Sequence, residues 1–255
     1  MSTQPTEHLG LLPKHLGKYF LTCGSPARAA QIASYLDDAV LVGNPRKMDC
    51  FVGSLEDERV TVVTHGMGCP SIAIALLELI ELSRINKQRL TGMRVGTAGS
   101  LQSEIIVGDL TIVQAAVRDE HTTDSYVPKE FPAFADFSVT QALLQAAQKL
   151  GVRHHMGVVH TKDDLNRELM TGNVPLVAEN QAYMQMLRKA RVASSSMESA
   201  ALFIIAWLNG VRAGTVLTNV GGGDEPFAEQ RPSPQKAIEV AIEALRILIR
   251  QDQTA

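Results

Sequence analysis

A glycine turn between a strand pattern and a helix pattern, within residues 60–82, constrains the fold of this chain more than any other segment. Residues 60–63 form a β-branched run of strand length, and apolar residues recur at helical spacing after Pro70. Gly66 and Gly68 lie between the two patterns, where the lack of a side chain lets the backbone turn sharply and approach a ligand. The segment therefore predicts a strand, a glycine turn and a helix, and the turn is either a ligand loop or a site of tight packing.

Strand and helix patterns alternate along the rest of the chain. Strand-like runs lie at residues 19–23, 60–64, 93–97, 110–117, 156–161 and 214–219. Helical patterns lie at residues 27–35, 71–82, 139–150, 178–190, 198–209 and 234–250. Irregular loops are predicted at residues 118–135 and 221–234. This alternation predicts one α/β domain over residues 1–255, layered around a mostly parallel or mixed sheet.

Composition narrows the classes of function. The 255 residues are 45% hydrophobic and 20% charged, which suits a globular domain with a large core. A net charge of −3 gives no electrostatic reason to expect binding to nucleic acid or to a membrane surface. The three scattered cysteines indicate neither a disulfide framework nor a metal site. Without an export signal or a run of about 20 apolar residues, a cytoplasmic location is expected.

Two segments combine glycine with arginine in a way that favours anion binding. Gly24 follows a strand pattern and Arg28 lies one helical turn later, so backbone N–H groups and a guanidinium can face one anion, unless Arg28 is an ordinary solvated residue. Arg94 lies inside a strand predicted to be buried, and a buried charge needs a partner. That partner is either a bound phosphate, with the Thr97 hydroxyl as a further donor, or an internal carboxylate such as Glu198.

Glu198 opens an apolar helical pattern, and two roles are open for it. A carboxylate in the first turn of a helix is favoured by the helix dipole, which is a purely structural role. A glutamate at a buried helix start can also accept hydrogen bonds from vicinal hydroxyls and so orient a sugar.

Taken together, these segments resemble the nucleoside phosphorylase family that contains the uridine phosphorylases and the bacterial-type purine nucleoside phosphorylases. The matching strings are EHLGL at residues 7–11, LTCGSPAR at 21–28, THGMGCPSI at 64–72, MRVGTAGS at 93–100, FPAFADF at 131–137 and SMESAA at 196–201. The resemblance is closest to the uridine phosphorylase branch. It implies a three-layer α/β/α sandwich with a mixed central sheet, and phosphorolysis of a pyrimidine ribonucleoside such as uridine. Inorganic phosphate is then the co-substrate, and no cofactor is expected.

The resemblance also implies roles for individual residues. Phosphate would be bound by Gly24, Arg28, Arg94 and Thr97, and by Arg46 reaching across from a neighbouring subunit. Ribose would be bound by Met197 and Glu198, with Met67 at the rim and His8 contributed by the neighbouring subunit. Arg94, Glu198 and Arg28 would be the catalytic set. Sites shared in this way imply a homodimer, which in some relatives assembles further into a trimer of dimers. Some relatives hold a monovalent cation with a glutamate at the position of Lys47, so that site is doubtful here.

The resemblance is weaker for the residues that would recognise the nucleoside base. Asn219 stands where purine-cleaving relatives have an aspartate, which favours a pyrimidine base, but Val220 replaces the arginine that commonly follows. The glutamine and arginine that recognise uracil in the family have no match in residues 161–169. Asn166 and Arg167 are the candidates for that role, and a solvated loop pair is the alternative.

Rival functions therefore stay open on the sequence. One is a purine nucleoside phosphorylase, and another is a nucleosidase of the same fold that uses water in place of phosphate, against which Arg28 and Arg94 argue. A third is a nucleoside-binding protein that has lost turnover together with its base-recognition pair.

Overall fold

The computed structural model describes residues 4–166, 175–222 and 232–254. The strands in these ranges are β1 (Tyr19–Cys23), β2 (Asp37–Gly43), β3 (Cys50–Leu55), β4 (Glu58–Thr64), β5 (Thr91–Ser100), β6 (Leu110–Asp119), β7 (Ala133–Phe134), β8 (His154–Lys162), β9 (Ser194–Ser196) and β10 (Arg212–Gly222). The helices are α1 (Pro26–Ala33), α2 (Cys69–Asn86), α3 (Phe137–Lys149), α4 (Val177–Lys189), α5 (Ser199–Leu208) and α6 (Gln235–Gln253). Short 3-10 helices lie at Pro13–His15 and Thr122–Ser125.

The strands form one mixed sheet in the order β10, β6, β8, β9, β5, β1, β4, β3, β2. β7 pairs with β6, and β10 also pairs with β5, so five of the strands close into a ring. β1 is parallel to both β4 and β5. β9 is parallel to β8 but antiparallel to β5. β9 thus joins β8 to the carboxyl end of β5, where it pairs with Gly99 and Ser100.

Helices cover both faces of the sheet. α2 and α5 pack on one face, and α1, α3 and α6 pack on the other. β1 shows why both faces must be covered, since Phe20 contributes to one core and its neighbours Tyr19 and Leu21 to the other. α5 is apolar on nearly all sides, as expected of a helix enclosed by protein. The predicted α/β class with a mixed sheet is confirmed. Within the described ranges, none of the helices has the length and apolar character needed to cross a bilayer.

The structure corrects several predicted boundaries. β2 and β3 had not been predicted, because β2 is largely exposed and lacks the alternation of buried and exposed residues that marks a half-buried strand. The segment at 118–135 is not simply irregular: β6 extends into it to Asp119, a 3-10 helix follows, and β7 ends it. Much of the second predicted loop, residues 223–231, lies outside the described residues.

Candidate active site

The glycine turn lies between β4 and α2, at the edge of a buried polar cluster. Gly66 and Gly68 have φ angles of +76° and +85°, in the left-handed region that disfavours other residues. A Cβ atom on Gly24 would lie 2.8 Å from the Gly66 carbonyl oxygen, so the turn after β1 and the turn after β4 pack against each other through glycine backbone. The Gly68 N–H donates to Glu198 Oε1 at 3.0 Å. The turn is therefore part of the wall of a site that contains Glu198.

Arg94 and Glu198 form a buried ion pair at the centre of this cluster. Arg94 Nη2 donates to Glu198 Oε2, and both residues are only 4% exposed. The Met197 N–H donates to the same oxygen at 3.2 Å. Burial alone would raise the pKa of Glu198, but the Arg94 guanidinium and the two backbone N–H donors hold it below its usual value. Glu198 is thus an anion that the protein keeps ready to accept hydrogen bonds.

His65 completes the cluster as a neutral group. Burial, together with the nearby Arg94 guanidinium, lowers the pKa of His65 to about 3. Its Nε2 accepts from Arg94 Nε at 3.3 Å, which places the ring proton on Nδ1. The cluster therefore has one cation, one anion and one neutral imidazole.

Arg94 retains a buried donor that no described residue accepts from. Its Nη1 has no hydrogen-bond partner among the described residues. A Cβ on Gly96 would clash with this nitrogen, so glycine at that position leaves the room that the guanidinium occupies. Of the two partners that the sequence suggests for Arg94, the carboxylate of Glu198 is the one present here, and Nη1 retains the capacity to bind an anion.

The other residues predicted to bind phosphate lie on adjoining elements. β1 and β5 pair in register from Tyr19 with Thr91 to Thr22 with Arg94, and this pairing brings the end of β1, where Gly24 follows, beside Arg94. Arg28, in the first turn of α1, donates from Nη1 to the Val95 carbonyl of β5 at 3.2 Å. Thr97 is partly exposed three residues after Arg94 on β5. The structure thus brings these segments together, and their phosphate contacts stay a prediction.

Of three further predicted residues, His8 and Arg46 contact other groups in the single chain, and Met67 lies on the wall of the site. His8 Nδ1 bonds to Glu78 Oε1 at 2.8 Å, on α2. Arg46 is exposed and lies 3.5 Å from Glu7 Oε1. Met67 projects from the glycine turn with 80% of its surface exposed. His8 and Arg46 were predicted to act on a neighbouring subunit, and that role stays a prediction.

The predicted base-binding residues do not converge in the described part of the chain. Asn219 is buried, and its Nδ2 donates to the Asp109 carbonyl at 3.0 Å and to Thr111 Oγ1 at 2.9 Å, so both amide hydrogens are used at the start of β6. Asn166 is exposed beside Asp164, to which its N–H donates. Arg167 lies outside the described residues.

The structure also reveals a polar network to which the sequence pattern assigned no role. It consists of Lys162 and His160 on β8, Ser195 on β9 and Asp119 at the end of β6. The available signals were a lysine directly after the strand pattern at residues 156–161 and the run of serines before Met197.

Comparison with known proteins gives consistent matches. The family model described as "Phosphorylase superfamily" matches residues 18–250. The chain is 37% identical to uridine phosphorylase from Treponema pallidum, over 98% of this chain and 97% of that protein. It is 30% identical to guanosine phosphorylase from Halorubrum lacusprofundi, over 98% of each. The solved structure of uridine phosphorylase from Vibrio fischeri ES114, complexed with 6-hydroxy-1-naphthoic acid, aligns with a TM-score of 0.82 at 27% identity, covering 97% of each chain.

Proposed function

The chain belongs to the phosphorylase superfamily, and we propose that it is a uridine phosphorylase, a pentosyltransferase of nucleoside salvage. It transfers the ribosyl group of uridine to inorganic phosphate, giving ribose 1-phosphate and uracil. A phosphate oxygen bonds to C1′ as the C1′–N1 bond breaks, and the electron pair of that bond leaves with the base. The reaction uses phosphate as co-substrate and needs no further cofactor.

The residue roles follow from the two sides of the buried cluster. Gly24, Arg28, Arg94 and Thr97 would hold phosphate, whose negative charge stabilises the positive charge that develops on the sugar. Met197 and Glu198 would hold ribose, with the carboxylate accepting from the ribose hydroxyls. Fixing both reactants in one geometry lowers the entropic part of the barrier.

The observation that carries this proposal is the direct contact between Arg94 and Glu198. The guanidinium that has a buried donor left for phosphate also holds the carboxylate that would bind the sugar. A single side chain therefore sets the distance between nucleophile and ribose, which is the requirement for attack at C1′.

Assembly and location are also proposed. A homodimer would let His8 and Arg46 complete the ribose and phosphate sites of the neighbouring subunit, and a trimer of dimers is compatible with this. The cysteines Cys23, Cys50 and Cys69 are free and buried, which fits a reducing cytoplasm.

A panel of nucleosides assayed with phosphate tests the substrate. Uridine, deoxyuridine, thymidine, inosine and guanosine would be compared by kcat/KM, with release of the free base measured by chromatography. We expect uridine to exceed both purine nucleosides. A purine nucleoside phosphorylase is the alternative, because one of the relatives is a guanosine phosphorylase. A higher kcat/KM for guanosine or inosine than for uridine would establish that alternative instead.

A further inference from the structure

Lys162 is a buried lysine that has none of the roles assigned above in the proposed reaction. It ends β8, is 3% exposed, and its Nζ donates to Ser195 Oγ at 2.6 Å. Burial lowers the pKa of Lys162 to about 8, while the carboxylates of Glu198, Asp119 and Asp164 act in the opposite direction. Lys162 is therefore a buried, hydrogen-bonded N–H donor at the end of β8.

A chain of hydrogen bonds holds this lysine. Ser195 Oγ accepts from Lys162 and lies 3.0 Å from His160 Nδ1, and His160 Nε2 lies 2.8 Å from Asp119 Oδ2. An ammonium group only donates, so Ser195 Oγ is the acceptor of the Lys162 bond. Ser195 in turn contacts the His160 ring, whose other nitrogen contacts the Asp119 carboxylate. These contacts fix the position of the ammonium group.

The strand order places Lys162 and Arg94 on opposite sides of Glu198. The strand order runs β8, β9, β5, β1, with the predicted phosphate residues at β5 and the end of β1. Thr161 pairs with Ser196, so Lys162 lies beside the segment in which Met197 and Glu198 follow β9. Glu198 is also one of the carboxylates that raise the pKa of Lys162. Ribose held by Glu198 would therefore have phosphate on one side and Lys162 on the other.

In phosphorolysis the nucleophile and the leaving base lie on opposite sides of C1′. We propose that Lys162 is a catalytic residue that donates an N–H hydrogen bond to a carbonyl oxygen of the leaving pyrimidine, and that Ser195, His160 and Asp119 are positioning residues for it. This assignment rests on the proposed function. As the C1′–N1 bond breaks, its electron pair passes to the pyrimidine ring and is shared by the carbonyl oxygens. Lys162 keeps its proton and stabilises that charge, and the released base takes a proton from water.

Leaving-group dependence distinguishes this role from a structural one. Lys162→Met would be compared with wild type on uridine and on 5-fluorouridine, whose fluorine withdraws electrons and makes the base a better leaving group. Removing one preorganised donor to a developing anion costs about 100-fold or more in turnover, so we expect that loss for uridine. The loss for 5-fluorouridine should be clearly smaller, by about fivefold or more, because that base needs less stabilisation. Lys236→Met, an exposed lysine on α6, is the matched control and should change neither rate.

Equal losses for the two nucleosides, or no loss, would overturn the role of Lys162. If Lys162→Met does not fold by circular dichroism, Lys162→Leu, which also removes both the donor and the charge, is subject to the same comparison and the same criteria. Failure of the proposed function is seen separately, because it appears as a wild-type protein that does not cleave uridine with phosphate.

The positioning chain has its own test on β9. Ser195→Ala removes the acceptor of Lys162, and we expect a loss of about tenfold in kcat/KM for uridine that is again smaller for 5-fluorouridine. Ser194→Ala is the control, since Ser194 is the buried neighbour on the same strand and its hydroxyl faces Thr111 instead. If Ser195→Ala and Ser194→Ala have the same kcat/KM for both nucleosides, Ser195 does not position Lys162.

Discussion

At the scale of single residues, the site depends on which groups accept hydrogen bonds from the N–H donors of Arg94. Arg94 gives one N–H group to Glu198 and one to His65, and a third nitrogen lies buried with no acceptor among the described residues. A buried pair of this kind contributes little net stability, yet removing either partner leaves an uncompensated charge. The arrangement is therefore better explained by ligand binding than by stabilisation of the fold.

The neutral His65 gives a prediction for stability against pH. An unfolded histidine binds a proton below pH 6.5, whereas the pKa of folded His65 is about 3, so the folded state loses stability as pH falls from 6.5 toward 3. Between pH 7 and pH 5 this one group should remove about 2 kcal/mol from the free energy of unfolding. His65→Gln keeps an acceptor for Arg94 and cannot titrate, so it should lack that loss. Urea unfolding of both proteins at the two pH values measures the difference. If both proteins lose the same free energy of unfolding between pH 7 and pH 5, His65 binds its proton in the folded state as it does in the unfolded state.

At the scale of elements, the turn between β4 and α2 combines backbone strain with function. Gly68 has a φ of +85° and donates its N–H to Glu198, while Gly108 has a similar φ of +88° with nothing within 4 Å of a Cβ placed there. The two positions therefore separate the effect of strain from the effect of the site.

Gly68→Ala and Gly108→Ala should each lower the free energy of unfolding by about 1–3 kcal/mol, because alanine is strained at these angles. Only Gly68→Ala should also raise KM for uridine, by about tenfold, since it shifts the N–H that orients Glu198. Thermal unfolding and steady-state kinetics on both proteins measure this. If the two variants have the same KM, the turn has no part in holding ribose.

The elements also show what could be predicted from sequence and what could not. The strand, turn and helix around Gly66 were predictable because each is a local pattern, and the burial of Arg94 followed from its place in an apolar strand. β9 is only three residues long and is defined by its partners rather than by its own pattern. The Lys162 network joins three strands far apart in the chain, so no local spacing reveals it.

At the scale of the whole molecule, the proposed sites are shared between subunits. Each site would take Arg94 from one subunit and His8 from the other. A variant of either residue therefore damages a site that depends on both subunits. In a mixed dimer of His8→Ala and Arg94→Met subunits, one site carries both defects and the other carries neither.

Mixing the two variants under conditions that exchange subunits should therefore restore activity. Each variant alone is expected to have little activity, whereas the mixed dimer regains one intact site and up to about half of the wild-type rate per dimer. Coexpression with two different affinity tags isolates the mixed dimer for assay. No recovery in a purified mixed dimer would mean that each chain builds its site alone.

The central claim is that phosphate, rather than water, accepts the ribosyl group. For wild-type protein with uridine and inorganic phosphate, phosphorus NMR measures ribose 1-phosphate, and chromatography of the same samples measures uracil and free ribose. The account predicts one ribose 1-phosphate formed for each uracil released, and no uracil when phosphate is omitted. Uracil released together with free ribose, at a rate that does not depend on phosphate, would contradict it.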